Sequence, residues 1–152
     1  MQSLDILVNN ARWLINKPFL ELDDTDWQQS FEVNFFANVR LIRLLLTYLQ
    51  QSKNAHIVNI GSMGGYQVSS KFAVLSAYSA SKSALANLTV CLSHELSNQS
   101  IAVYCLALVA LLTDILAVSF PFYPAPFIYL HMVSFFSLFF SIFLLLFFCF
   151  LF

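Results

Sequence analysis

His56-Ile57-Val58-Asn59-Ile60-Gly61-Ser62 and, sixteen residues beyond Ser62, Tyr78-Ser79-Ala80-Ser81-Lys82 are the stretches from which the rest of the chain can be read. The first is a β-branched run that reads as a short buried strand stopping at Gly61. The second opens a segment, Ser76 to Leu96, whose apolar Ala77, Leu85, Leu88, Leu92 and Leu96 recur at helical spacing. Residues four apart on a helix share a face, so the Tyr78 phenol and the Lys82 ammonium are expected together at its N-terminal end. A cation this close favours phenolate, and a phenol so placed can donate or accept a proton at neutral pH. Taken alone, such a pair reads more simply as a solvated helix face.

Working outward, Leu4-Asp5-Ile6-Leu7-Val8-Asn9-Asn10-Ala11 is a second strand that ends in Asn-Asn-Ala. Between the two strands, Asn34 falls within a long helix. Ser62 directly follows its strand, which makes it a better candidate than Ser69 or Ser70 for a hydroxyl near Tyr78. The plain reading of Asn34 is a surface amide. Asn-Asn-Ala after a strand, a mid-helix Asn, Ile-Val-Asn-Ile-Gly-Ser and then Tyr-x-x-x-Lys, in this order, closely resemble the short-chain dehydrogenase/reductase family over about Leu4 to Thr113.

The resemblance implies a partial Rossmann-like, doubly wound parallel sheet of three strands and two long helices, an α/β fold, followed by an apolar C-terminal segment. It implies NAD(P)-dependent interconversion of an alcohol and a carbonyl. Tyr78 then passes the proton to or from the substrate oxygen, Lys82 holds the nicotinamide ribose, Ser62 bonds the substrate oxygen and Asn34 holds a water in the proton path. Asn9, Asn10, Ala11, Tyr78, Lys82 and Thr113 are the implied contacts to NAD or NADP. Helices at 26–51 and 76–97 are the implied surfaces of a homo-oligomer.

Charge and glycine bound this expectation. Net charge is −1, which gives no argument for nucleic acid as a partner. All Lys, Arg, Asp and Glu lie between Asp5 and Asp114, and the remainder is apolar and rich in Phe. The expected layout is therefore a partial dehydrogenase domain at 1–114, a linker at 115–126 and an apolar segment at 127–152. The three cysteines, Cys91, Cys105 and Cys149, have neither metal nor redox spacing and read as reduced or buried thiols in a cytoplasmic protein, membrane-associated if the C-terminal segment is an anchor. The three glycines, Gly61, Gly64 and Gly65, fall in one loop. A dinucleotide fingerprint needs glycines between a first strand and its helix. In the family that turn precedes the Asn-Asn-Ala strand, so the half expected to hold most of the cofactor is missing.

In chain order, Arg12 stands where the family carries Gly, a change that strains the turn, crowds the nucleotide or meets a phosphate. Asp23, Asp24 or Thr25 caps a helix running from about Asp26 to Gln51, with an apolar stripe at Trp27, Phe31, Phe35, Val39, Ile42, Leu45, Leu46 and Leu49. Gly61 to Ser76 is a long loop carrying Met63, Tyr66 and Phe72, suited to covering an apolar substrate. Ile101 to Ala107 reads as a third strand, after which the family's Asn and Pro-Gly are replaced by Tyr104, Leu108 and Val109, with Thr113 retained. Phe127 to Phe152 is long enough to span a bilayer. Three readings of that run stay open: a membrane anchor, a non-native tail from altered reading of the gene, and a buried helix. The alternative to an enzyme is a truncated, non-catalytic chain that at most pairs through its helices.

Overall fold

The computed structural model describes residues 2–66 and 73–108. Strand β1 (Ile6–Asn9), strand β2 (Ala55–Ile60) and strand β3 (Ile101–Leu106) form one parallel sheet in the order β1-β2-β3. Parallel neighbours cannot be joined by a tight turn, so each connection crosses through helix. The first crossover carries helix α1 (Asp24–Phe31), a π-helical turn at Glu32–Phe36 and helix α2 (Ala37–Leu49). The second carries helix α3 (Ser76–Glu95). The expected strands and helices are therefore present, as a Rossmann-like α/β layer. The expected Thr113 contact, the linker at 115–126 and the apolar segment at 127–152 lie outside the described residues. So do Ser69, Ser70 and Phe72. Among the described residues no helix is long and apolar enough to cross a membrane.

Asp23 starts α1: its carboxylate accepts from the Asp26 N–H at 2.9 Å, while the Asp26 carboxylate accepts from the Asp23 N–H at 3.2 Å. Each satisfies an N–H that the first helical turn leaves without a partner. Asp26 also accepts from Lys17 Nζ at 2.7 Å, which ties the loop after β1 to the helix start. Further along, Ile42, Leu45, Leu46 and Leu49 of α2 recur at helical spacing and face the sheet. They join Leu7, Ala55, Ile57, Ile101 and Val103, together with Leu92 and Leu96 from α3 and the residue that follows it, in one hydrophobic core. Here the apolar stripe read from the sequence holds.

It does not hold in the first half of that crossover. The residues fully withdrawn from solvent there are Ser30 and Asn34, with Asn38 at the start of α2, while Trp27, Phe31, Phe35 and Val39 are half-buried. The reason is the neighbour: α1 and the π turn pack against α3 rather than on the strands. A seam between two helices can bury polar groups when they bond one another.

The sheet is covered unevenly. Leu7, Ile57 and Val103 face the core, whereas Ile6 and Val8 on the opposite face of β1 are 57% and 54% exposed. Among the described residues Ile6 and Val8 stay exposed because both helical layers lie on the other side of the sheet. On the face opposite the core His56 and Tyr104 stack at 5.9 Å across adjacent strands.

Candidate active site

The carboxyl ends of β1 and β2 lie side by side, with Asn9 in register with Asn59. Asn9 Nδ2 donates to Asn59 Oδ1 at 2.8 Å, Asn59 Nδ2 donates to Thr89 Oγ1 at 2.9 Å, and the Thr89 hydroxyl donates to the Leu85 carbonyl at 2.8 Å. This buried chain binds the strand ends to α3. The Asn9 side chain is therefore directed inward, 3% exposed, while the neighbouring Asn10 and Ala11 are exposed at the strand end.

Tyr78 and Lys82 share a buried face of α3 one turn apart, as their spacing predicts. Lys82 is 2% exposed, and its ammonium donates to the carbonyl of Ile60, the last residue of β2, at 2.7 Å. An ammonium carries three donors, so two remain after this bond. The Tyr78 hydroxyl has no hydrogen bond among the described residues. Burial lowers the Lys82 pKa from its usual 10.5 to about 8, an effect opposed by Cys105 and reinforced by the positive charge of Arg12.

That shift has a consequence for stability. Between about pH 8 and 10.5 the unfolded chain holds the Lys82 proton and the folded chain does not. Folding stability attributable to this residue therefore rises with pH across that window and is lowest, and flat, below it. The expected result is that Lys82→Met removes this rise from denaturant-unfolding curves measured from pH 7 to pH 10. A wild-type minus variant difference that stays constant with pH would show that Lys82 titrates normally.

Ser62 reaches the same edge by extension of the sheet. Gly61 N–H donates to the Leu106 carbonyl at 2.9 Å and Met63 N–H to the Leu108 carbonyl at 3.1 Å, so Ser62 is held between two bonds to β3 and its continuation. Its Oγ accepts from the Gly64 N–H at 3.3 Å and caps a 3-10 turn at Met63–Gly65. The turn then docks on α3. A Cβ at Gly65 would lie 2.9 Å from the Lys82 carbonyl carbon and 3.0 Å from Ser83 N, and the Ser83 hydroxyl donates to the Gly65 carbonyl at 2.5 Å. Only a residue without a side chain permits this approach. Gly65→Ala is expected to cost about 1–3 kcal/mol, as overpacking does. Unfolding of this variant at the wild-type denaturant midpoint would contradict the packing.

Asn34 is where the fold and the site join. Its Oδ1 accepts from the Trp13 N–H at 2.7 Å, and its Nδ2 donates to the Trp13 carbonyl at 2.8 Å and to Ser81 Oγ at 3.0 Å. Ser81 Oγ also lies 3.4 Å from Ser30 Oγ. One amide thus links the chain after β1, the π turn and the residue next to Lys82. The reading of Asn34 as a surface amide is corrected: it is fully buried. The surrounding π turn is the kind of helical irregularity often found at functional sites. Ser30, Asn38, Thr89 and the Trp13 backbone belong to this network although no local motif marks them. The four-residue recurrence of Ser30, Asn34 and Asn38 was the available signal.

The three-stranded parallel sheet, with a Tyr and a Lys buried one turn apart on the helix that crosses to its third strand, is a Rossmann-like α/β arrangement. The sequence pattern of the short chain dehydrogenase family matches residues 1–123, and the chain belongs to that family. It is 36% identical over 102 residues to a fatty acyl-CoA reductase of Acinetobacter baylyi, a match covering 66% of this chain and 34% of that protein. Its fold is similar to an Escherichia coli CFT073 short chain dehydrogenase solved with NADPH, with TM-score 0.73, 30% identity, and coverage of 81% of this chain and 50% of that one. It is also similar to a 4-hydroxyisoleucine dehydrogenase complexed with NADH and succinate, with TM-score 0.63, 34% identity, and coverage of 69% and 49%. The chain thus spans from about a third to half the length of these relatives.

Proposed function

We infer that this chain carries the proton-transfer part of an NAD(P)-dependent oxidoreductase that interconverts an alcohol and a carbonyl. The observation that carries the reading is the pairing, on one buried helix face, of an ammonium anchored to Ile60 with a phenol that has no hydrogen bond among the described residues. Tyr78 gives its proton to a carbonyl oxygen, or takes one from an alcohol, as general acid or base. Lys82 offers its two remaining donors to a ribose. The Ser62 hydroxyl orients the substrate oxygen. Asn34, whose side-chain donors and acceptor are engaged within the protein, acts as a positioning residue that fixes Ser81 and, with it, Lys82.

The residues fit the nicotinamide end of NAD or NADP. When bound, that cofactor supplies the hydride exchange. They do not supply a glycine cradle for its pyrophosphate, because Gly61 and Gly65 lie where side chains would meet Cys105 and α3. The expected result is weak binding of NADH and NADPH to the full chain by calorimetry, with dissociation constants of about 1 mM. Micromolar binding would show that another surface has taken over the cradle.

Exposed Leu44 on α2 and Val90 on α3, 71% and 58% accessible, favour a second reading. In it the chain is non-catalytic and pairs with a second copy through these helices. A dimer in sedimentation equilibrium, lost on Leu44→Glu, with no turnover from the wild type, is the outcome that selects it.

A further inference from the structure

We propose that the open edge of β1 docks the same edge of a second copy, antiparallel, with Ile6 of each chain opposite Val8 of the other. In the order β1-β2-β3 the first strand has a neighbour on one side only. The ladder determines which of its groups face away from that neighbour. His56 N–H donates to the Asp5 carbonyl at 2.8 Å, so Asp5, Leu7 and Asn9 direct their peptide groups at β2. Ile6 and Val8 therefore direct theirs outward, a donor and an acceptor each. These two residues are 57% and 54% exposed, so the edge is open where those groups lie.

The open stretch is short and complementary to itself. Leu4, the preceding residue on that side, donates its N–H to the Tyr48 carbonyl at 3.0 Å, and the regular strand ends at Asn9. A half-turn about an axis through Leu7 sets the Ile6 donor and acceptor against the acceptor and donor of the second copy's Val8. That exchange is the hydrogen-bonded pair of an antiparallel sheet. The side chains agree with it. Ile6 and Val8 lie on the face opposite the core, so each β-branched chain meets another, a pairing that favours sheets. Nothing on the strand opposes it. Ile6–Asn9 holds no charge and no proline, the usual devices that keep edges apart. The nearest charge, Asp5, accepts from Ser52 Oγ at 2.6 Å and comes to stand opposite the second copy's Asn9 rather than another carboxylate. The two-fold operation closes the assembly at two copies. It requires neither the oxidoreductase reading nor contact through Leu44 and Val90.

Position-specific cross-linking of the full chain tests the register. With Cys91, Cys105 and Cys149 replaced by serine, Ile6→Cys and Val8→Cys variants are mixed and oxidised. Opposed residues in such a pair have Cα atoms about 5.5 Å apart, within reach of a disulfide. Like residues stand diagonally, beyond the limit of about 7 Å. A disulfide dimer is expected in the mixture and in neither variant alone. In sedimentation equilibrium on the wild-type background, Val8→Lys is expected to weaken dimerisation by about 10-fold or more, and Leu44→Glu to leave it unchanged. Val8→Pro, which removes an outward N–H and spares the ladder to β2, should act like Val8→Lys. A monomeric wild type shows that no second copy takes this edge and overturns the proposal. So do cross-links within either variant alone, and so does a dimer that survives Val8→Lys but is lost on Leu44→Glu.

Discussion

Replacing Tyr78 with phenylalanine is expected to lower carbonyl reduction by about 10²- to 10⁴-fold, the usual contribution of a positioned general acid. The change deletes one hydroxyl that makes no hydrogen bond among the described residues, so folding should be affected little. Tyr78 itself is buried on α3 beside the strand ends, and the phenylalanine ring keeps that packing. The loss should appear in kcat, because the proton moves only in the transition state. Replacement of Ser62 by alanine should cost less, since in the proposed reading its hydroxyl orients the substrate and transfers no proton. A Tyr78→Phe variant with an unchanged kcat would remove the phenol from the chemistry.

Replacing Asn34 with alanine is expected to destabilise the protein by about 3 kcal/mol, since buried polar groups stripped of partners cost roughly 1–3 kcal/mol each. The variant leaves Ser81 and both backbone groups of Trp13 without the amide that joins them. Asn34→Asp keeps an acceptor for the Trp13 N–H but loses both donor bonds and sets a buried carboxylate oxygen against the Trp13 carbonyl, so it should be destabilised at least as much as Asn34→Ala. Denaturant midpoints of both variants well below that of the wild type are the expected result. Equal midpoints for all three would mean that the amide does not hold the loop. The same variants should also lower kcat through Lys82.

What could be read from the residues, and what could not, follows from the range of each interaction. Tyr78, Lys82 and the strand before Ser62 were legible because helical and strand periods are local, and the structure places them on α3 and β2 as expected. The cap of the first crossover helix was legible for the same reason, narrowed from Asp23, Asp24 or Thr25 to Asp23. The polar seam was not. Ser30, Asn34 and Asn38 lie beside the more conspicuous Trp27, Phe31 and Phe35, and hydrophobic periodicity favours the aromatic set. Which set is buried is decided by the neighbour, Ser81 of α3, more than forty residues away. The exposure of Ile6 and Val8 was likewise beyond local reading, because a strand's own sequence does not say which of its faces a helix covers. Gly65 was visible as a glycine, but its contact with the Lys82 backbone was not.

The most direct test of the oxidoreductase reading is turnover by the full chain. Carbonyl compounds are supplied at saturating concentration with millimolar NADH or NADPH, and consumption of the reduced nicotinamide is followed beside Tyr78→Phe. The site predicts consumption by the wild type that depends on the carbonyl and is lost in the variant. Consumption at equal rates in both proteins, or none in either, would contradict it.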